Sequence, residues 1–119
     1  MEAFSAQQRE RFEEEMTVYV ARKYPEESAT MADGALRALI HDGVDKARAY
    51  DIILEGDVAR YIEFMVILGP DFDESENTAW APAILKNRSA TAKSKLDEIW
   101  FRMCEQQAND EASPTEEGV

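Results

Sequence analysis

The sequence is poor in the residue types that usually mark covalent chemistry: it has one cysteine and one histidine in 119 residues. A single cysteine cannot form a bridge within the chain, and one thiol fits a reducing compartment. Cys104 follows Met103 and is expected to pack as a small apolar side chain. His41 would have to serve any nucleophile that needs an imidazole base. Its position just before Asp42-Gly43 instead predicts either the last turn of a helix, where a positive charge is favourable, or a position on the surface.

Long apolar runs are also missing. The longest, residues 64–68, is far shorter than the roughly 20 residues that a helix needs to cross a bilayer. The first residues, Met1-Glu2-Ala3-Phe4, lead into a charged segment and do not resemble a signal peptide. We therefore expect a cytoplasmic protein that does not bind a membrane.

Basic residues are few, since 13 lysines and arginines face 25 acidic residues and give a net charge of -12. This charge repels phosphate backbones and anionic lipids, which argues against nucleic acid as a ligand. The acids are concentrated in residues 42–76 and, without any base, in residues 105–119. The pattern is typical of a solvated surface with an acidic tail, and it also fits an acidic surface that meets a basic protein partner.

Strand signals are almost absent. No window alternates apolar and polar residues with a β-branched majority, and Asp33-Gly34 lacks flanking strands. Helical periodicity covers most of the chain, which predicts an all-α single domain over residues 1–107, built as a compact bundle of about five helices. Residues 108–119 have no periodicity and almost no apolar side chains, which predicts a disordered acidic tail.

The central helix of this bundle is predicted at about residues 55–68. Glu55 and Asp57 lie in its first turn, where negative charge is favourable, and Gly69-Pro70 ends it. From Phe64 to Leu68 the segment is apolar on every side, so neighbouring elements have to cover it.

The other helices are predicted from caps and apolar stripes. The first begins at Ser5 and ends at Pro25, with Glu13, Glu14 and Glu15 facing water. Residues 30–50 form either one helix bent at Gly43 or two helices. A short helix near Trp80, with Thr78 as a possible cap, precedes a last helix that begins at Ser89. The last helix has one apolar face, which consists of Ala92, Leu96, Ile99, Trp100 and Met103, and a polar face, which consists of Lys93, Lys95, Asp97 and Glu98.

One polar loop resembles half of a calcium site. Asp71-x-Asp73-x-Ser75-x-Asn77 places oxygen ligands at alternate positions, as the first half of a calcium loop does. Glu76 stands at the position that needs glycine, and Pro82 at the position that needs a bidentate glutamate. The sequence therefore predicts a capped polar turn, with no metal and no cofactor.

Carboxylate pairs and arginines offer little evidence of catalysis. Acidic pairs are frequent in so acidic a chain, and nothing indicates that any pair is desolvated. Arg48 and Arg60 flank the acidic connection at residues 51–57, where charge-assisted hydrogen bonds would fix the turn between two helices. Anion recognition by these arginines is the alternative. We expect no catalytic residue and no enzyme.

A longer pattern of residues spans the middle of the chain: Ala47-Arg48-x-Tyr50-x-Ile52-x-x-Glu55-x-Asp57-Val58-x-Arg60-Tyr61-Ile62-x-x-Met65-x-x-x-Gly69-Pro70-x-Phe72-Asp73, followed by Trp80 and Ile84-Leu85. The pattern covers about residues 36–86 and resembles a family of small all-α bacterial proteins encoded beside toxins of contact-dependent or type VI secretion systems. The chain departs from that family at Asp51, where glycine is usual, and at Leu54, where a small capping residue is usual. The resemblance implies a non-enzymatic role as chaperone, adaptor or immunity protein.

Two functions follow as expectations. The first is a protein that holds a toxin or effector through an exposed apolar groove with acidic surroundings, and the second is a self-associating homodimer subunit with a structural or regulatory role. Aromatic and charged side chains near the central helix are the predicted contacts with a partner: Tyr61, Phe72, Trp80, Asp71, Asp73, Arg48 and Arg60. The alternative is that the three aromatic side chains pack in the core.

Overall fold

The computed structural model describes the backbone of residues 5–32 and 34–117 and the side chains of residues 5–32 and 34–108. Within these residues the chain forms helices and no strands, which confirms the all-α prediction. The helices are α1 (Ala6–Lys23), α2 (Pro25–Ala29), α3 (Ala35–Ala49), α4 (Glu55–Leu68), α5 (Ala81–Leu85) and α6 (Ala92–Glu117), with one 3-10 turn at Glu76–Thr78.

Helix α1 begins and ends where the sequence predicts. Gln8 N donates a hydrogen bond to Ser5 Oγ, and Ser5 N donates one to Gln8 Oε1, so the two residues form a capping box. Pro25 cannot donate a backbone hydrogen bond to α1 and instead stands in the first turn of α2. The five-residue α2 was not predicted.

Helix α3 is one continuous helix, which decides between the two alternatives for residues 30–50. It begins at Ala35, after Gly34 with φ of 82°, and it passes through Gly43 without ending. Gly43 is buried against α4, and a Cβ atom there would lie 2.7 Å from Ile62 Cγ1. Gly43 therefore serves the close approach of α3 to α4, and His41 lies in the middle of α3 and not in a last turn.

Helix α4 is the central helix, with the predicted bounds. It contributes six buried side chains to the core: Val58, Tyr61, Ile62, Phe64, Met65 and Val66. It packs most closely on α3 and also contacts α1, α2 and α6. Asp51 in the preceding turn has φ of 66°, in the left-handed region that favours glycine and that aspartate tolerates.

The segment between α4 and α5 is a polar turn held by local hydrogen bonds. Ser75 Oγ accepts a hydrogen bond from Asn77 N, as in a capped turn. Thr78 does not cap α5, because its buried hydroxyl donates to the Phe72 carbonyl oxygen. Pro82 lies in the first turn of α5, as predicted.

Helix α6 begins at Ala92, and Thr91 Oγ1 accepts a hydrogen bond from Ser94 N at its start. Lys95, predicted on the polar face, is buried, and its Nζ donates to the Tyr50 carbonyl oxygen at 2.9 Å. The predicted tail at residues 108–119 coincides with the end of α6, whose described backbone is helical to Glu117. Its side chains from residue 109 onward and the last two residues lie outside the described residues, so its disorder stays a prediction.

Candidate functional site

Two of the predicted contact residues belong to the core. Tyr61 and Phe72 are 0% exposed, and their ring centroids lie 5.3 Å apart. The prediction that they anchor a partner is therefore wrong in this structure, and the alternative that they pack inside is correct. Burial is the larger cause, and the nearby charge of Asp73 the next largest, of a raised pKa of Tyr61, so the Tyr61 hydroxyl stays neutral.

The acidic pair at residues 71 and 73 is matched by a lysine. Lys46 Nζ donates to Asp71 Oδ1 and to the Pro70 carbonyl oxygen, each at 3.0 Å, and lies 3.4 Å from Asp73 Oδ1. Asp73 is buried and also accepts a hydrogen bond from Tyr50 Oη at 2.7 Å. The ammonium group thus lies beside both aspartates of the calcium-like pattern. In the described part of the chain, no group of three or more His, Cys, Asp or Glu residues could hold a metal ion.

The remaining predicted residues are scattered. Arg60 pairs with Asp97 of α6 at 3.0 Å, so it links α4 to α6. The prediction that Arg60 fixes the connection at residues 51–57 is therefore wrong. Arg48 is exposed on α3. Trp80 is half-buried and lines a separate hollow with Asn77, Arg102, Glu105 and Gln106. The structure does not gather the predicted residues into one site.

A buried carboxylate joins α1 to α3, which the sequence analysis missed. Glu13 was expected to face water, but it is buried, with only 6% of the residue exposed. Its Oε2 atom lies 2.8 Å from Arg9 Nε and 3.0 Å from His41 Nδ1. Burial alone would raise the pKa of Glu13, but the hydrogen bonds from Arg9 and His41 outweigh it and hold the pKa below its usual value. Arg9 also bonds Asp45, whose pKa is lowered by that bond.

This cluster predicts an acid-dependent loss of stability. A carboxyl group whose pKa is lowered on folding stabilises the fold above its unfolded pKa, and the stabilisation is lost as the pH falls through the folded value. We expect Glu13→Gln to lower the free energy of unfolding at pH 7 by about 1–2 kcal/mol. The difference from the native protein should shrink below the ordinary glutamate pKa of 4.5. Urea denaturation of both proteins at a series of pH values measures this difference in the free energy of unfolding.

Glu14→Gln is the matched control, because Glu14 is the exposed neighbour on the same helix. Exposed substitutions of this kind usually change stability by less than about 0.5 kcal/mol. A Glu13→Gln variant that differs from the native protein by the same amount at pH 3 and pH 7 would contradict the charged role of Glu13. The cluster also contains Arg37, whose Nε lies 3.6 Å from Glu13 Oε1.

A groove lies over α4. The end of α1 and α2 form one side of it, and α6 forms the other side. Its volume is about 540 Å³. We call it the Trp100 groove, and its lining residues are Lys23, Tyr24, Glu27, Arg60, Glu63, Phe64, Ile67, Trp100, Met103 and Gln107. Phe64 and Met103 are buried, Ile67 is half-buried, and Trp100 is 52% exposed. The groove therefore combines an apolar floor with an exposed aromatic edge.

One wall of the Trp100 groove is fixed by hydrogen bonds to Glu63. Tyr24 Oη donates to Glu63 Oε1 at 2.6 Å, and Lys23 Nζ donates to the same atom at 3.0 Å. Burial and the bond to Glu63 raise the pKa of Tyr24 to about 12. Hydrogen bonds to Tyr19 and Glu63 raise the pKa of Lys23. Tyr24 and Lys23 thus keep their protons near neutral pH, and both already donate to Glu63, which suits recognition better than proton transfer.

A second groove lies between α1 and the beginning of α4. Its volume is about 310 Å³, and we call it the acidic groove. Its lining contains three carboxylates and no basic side chain. The lining residues are Phe12, Glu15, Met16, Tyr19, Glu55, Gly56, Ala59 and Glu63. Glu63 belongs to both grooves, so the two grooves meet along α4.

The sequence analysis placed Trp100 on the buried face of the last helix, and the structure places it at the edge of a groove. Phe101 beside it is 61% exposed. Ile99-Trp100-Phe101 carried a signal, because consecutive helical residues point about 100° apart and three large apolar ones cannot all face one core. Cys104 is exposed, so its predicted packing is also wrong.

Comparisons with protein-family models, with curated proteins and with solved structures found no match to this chain. The resemblance of residues 36–86 to secretion-associated proteins therefore stays a prediction. In the part of the chain that the structure describes, no helix combines the length and apolar character needed to cross a membrane.

Proposed function

We propose that this domain is a non-enzymatic protein-binding domain whose Trp100 groove receives a helix of another protein. The observation that carries the proposal is Trp100, which is 52% exposed and lines a groove with an apolar floor. Tryptophan is among the residues that contribute most to binding energy when a partner desolvates them. A partner that covers this ring would remove apolar surface of both proteins from water.

The shape of the groove favours a helix as the occupant. Arg60, Glu63, Phe64 and Ile67 line it from α4 at spacings of three, four and seven residues, so they form one stripe of that helix. Helices flank the stripe on both sides. A helix laid along such a stripe would complete a local bundle, which is a common way to recognise an amphipathic helix.

The narrower role that we propose is that of a cytoplasmic chaperone, adaptor or immunity protein for a secreted bacterial toxin or effector. It rests on the resemblance of residues 36–86 alone. Escort and inhibition both need a protein-binding surface, and the Trp100 groove serves either.

A homodimer is the second candidate, because Trp100 and Phe101 adjoin on α6 and could meet their copies across a two-fold axis. Charge argues against it. Each copy carries a net charge of -12, so two copies repel each other, whereas a basic partner is attracted. Light scattering at several protein concentrations separates a monomer from a dimer.

The test of the proposed function is co-expression with the products of the genes adjacent to its own. We expect one of them to co-purify at a fixed ratio. Trp100→Ala should weaken that complex by roughly 30-fold or more, because a central aromatic contact is commonly worth about 2 kcal/mol or more. Phe101→Ala is the matched control, because Phe101 is an exposed aromatic residue of the same helix that does not line the groove.

The control should weaken the complex by less than about threefold, as a peripheral contact does. Isothermal titration calorimetry measures both variants, and urea denaturation checks that both stay folded. A complex that forms equally well with Trp100→Ala, or a stable monomer that binds no neighbouring gene product, would argue against the proposal.

A further inference from the structure

We infer that the helix which occupies the Trp100 groove continues over the acidic groove and presents lysine or arginine there. This inference rests on the proposed function and adds the direction and the charge of the partner helix. The apolar residues of the partner would lie against Trp100 and Ile67, and its basic end would lie near Glu15 and Glu55. Glu63 lines both grooves, so a helix that crosses from one groove to the other would pass over Glu63 and the Tyr24 and Lys23 side chains bonded to it.

The continuity of this surface follows from α4. Gly56, Ala59, Glu63 and Ile67 recur at spacings of three or four residues, and each is at least partly exposed. Residues 56 and 67 are eleven positions apart, which is about 16 Å along the helix axis, or about three turns. One amphipathic helix of ordinary length therefore spans both grooves.

Small residues leave room for a partner at the acidic end. Gly56 has no Cβ atom, and a Cβ placed there would meet nothing within 4 Å. Ala59, one turn further on, adds only a methyl group and is half-buried. A long basic side chain can therefore lie over α4 at this end, with its methylene groups on the apolar floor and its charge beside the carboxylates.

The charges of the two grooves differ. In the Trp100 groove the two basic side chains are paired, Lys23 with Glu63 and Arg60 with Asp97. In the acidic groove, Glu15 and Glu55 are exposed, and none of the residues that line that groove is basic. The beginning of α4 contributes about half a positive charge, which two carboxylates outweigh. Negative charge therefore remains unmatched at one end of the surface.

Two synthetic peptides test the inference, each of about 16 residues so that it can form a helix. Both carry the same apolar stripe at one end. One has three lysines at the other end, and the second has three glutamates there. Binding is measured by isothermal titration calorimetry, which does not depend on Trp100 and therefore also serves the Trp100→Ala variant. A scrambled peptide with the composition of the lysine peptide controls for attraction by net charge alone.

We expect the lysine peptide to bind at least tenfold more tightly than the glutamate peptide at low salt, and the scrambled peptide to bind more weakly than the lysine peptide. The difference should shrink as the salt concentration rises, because exposed charges are screened. Glu15→Gln with Glu55→Gln should reduce the preference by roughly three- to tenfold, as two exposed charge pairs would. Glu10→Gln with Glu14→Gln removes the same charge from exposed positions of α1 outside both grooves and should change the preference little.

Each outcome bears on a different claim. Equal binding of the lysine and glutamate peptides, lost in Trp100→Ala, would overturn the basic partner and leave the proposed groove intact. Equal effects of the two double variants would show that only net charge matters, and would also overturn the inference. Binding of neither peptide would overturn it as well, and the co-expression experiment would then decide the proposed function by itself.

Discussion

Phe72→Ala should lower the free energy of unfolding by about 3–5 kcal/mol, the usual cost of removing a fully buried phenylalanine ring. Phe72 is 0% exposed, and its ring packs against Tyr61 and Phe64 of α4, with centroids 5.3 and 6.3 Å away. It thereby attaches the polar turn after Gly69 to the central helix. A domain of ordinary stability has about 5–15 kcal/mol in total, so much of the margin would be lost. Urea denaturation followed by far-ultraviolet circular dichroism measures the change.

Trp100→Ala is the comparison for Phe72→Ala, because it removes an even larger ring from a position that is 52% exposed. We expect it to cost less than about 1 kcal/mol of stability, since much of that ring is already in water. Phe72→Ala should therefore mainly lower stability, whereas Trp100→Ala should mainly weaken binding of the partner. If Phe72→Ala kept its stability and lost its partner, Phe72 would be a contact residue and its place in the core would be wrong.

The bounds of α4 could be predicted because their signals are local. Glu55 and Asp57 mark its first turn, Gly69-Pro70 ends it, and the apolar surface from Phe64 onward requires cover on every side. None of these signals depends on which helix supplies the cover. The capping box at Ser5 is equally local. For the same reason the bundle class could be predicted from periodicity alone.

The burial of charged residues could not be predicted, because it depends on partners that are distant in the chain. Glu13 is buried beside His41, which lies 28 residues away on α3. Lys95 is buried because its ammonium group reaches the carbonyl oxygen of Tyr50, 45 residues away. A helical stripe assigns both residues to the solvent side, since periodicity describes one helix and not the neighbours that pack on it.

The exposure of aromatic residues at the candidate site could not be predicted either, because it also depends on distant parts of the chain. The sequence indicated that aromatic residues would be important, but it could not tell which large apolar side chain lacks cover. Tyr61 and Phe72 lie within the core, whereas Trp100, assigned to the apolar face of α6, stands at a groove. Whether a residue of α6 is covered depends on where α1 and α2 end relative to α4, which is a property of the assembled bundle.

Gly43 gives the second large expected effect, and it tests how closely α3 approaches α4. A Cβ atom at residue 43 would lie 2.7 Å from Ile62 Cγ1 and 3.0 Å from Met65 Sδ. Ile62 and Met65 are 0% and 1% exposed, so neither side chain can turn out into water. We expect Gly43→Val to lower the free energy of unfolding by about 3 kcal/mol, near the upper end of the usual cost of overpacking.

Gly43→Ala should cost less, about 1 kcal/mol, because alanine favours the helix by about 1 kcal/mol over glycine and offsets part of the clash. Gly56→Ala isolates that helical gain, since a Cβ at the helical residue 56 meets nothing within 4 Å. It should raise stability by about 0.5–1 kcal/mol. The two alanine variants should therefore shift the urea midpoint in opposite directions. A stabilising Gly43→Ala would mean that α3 and α4 lie further apart than this structure places them, and that the central helix is less tightly covered.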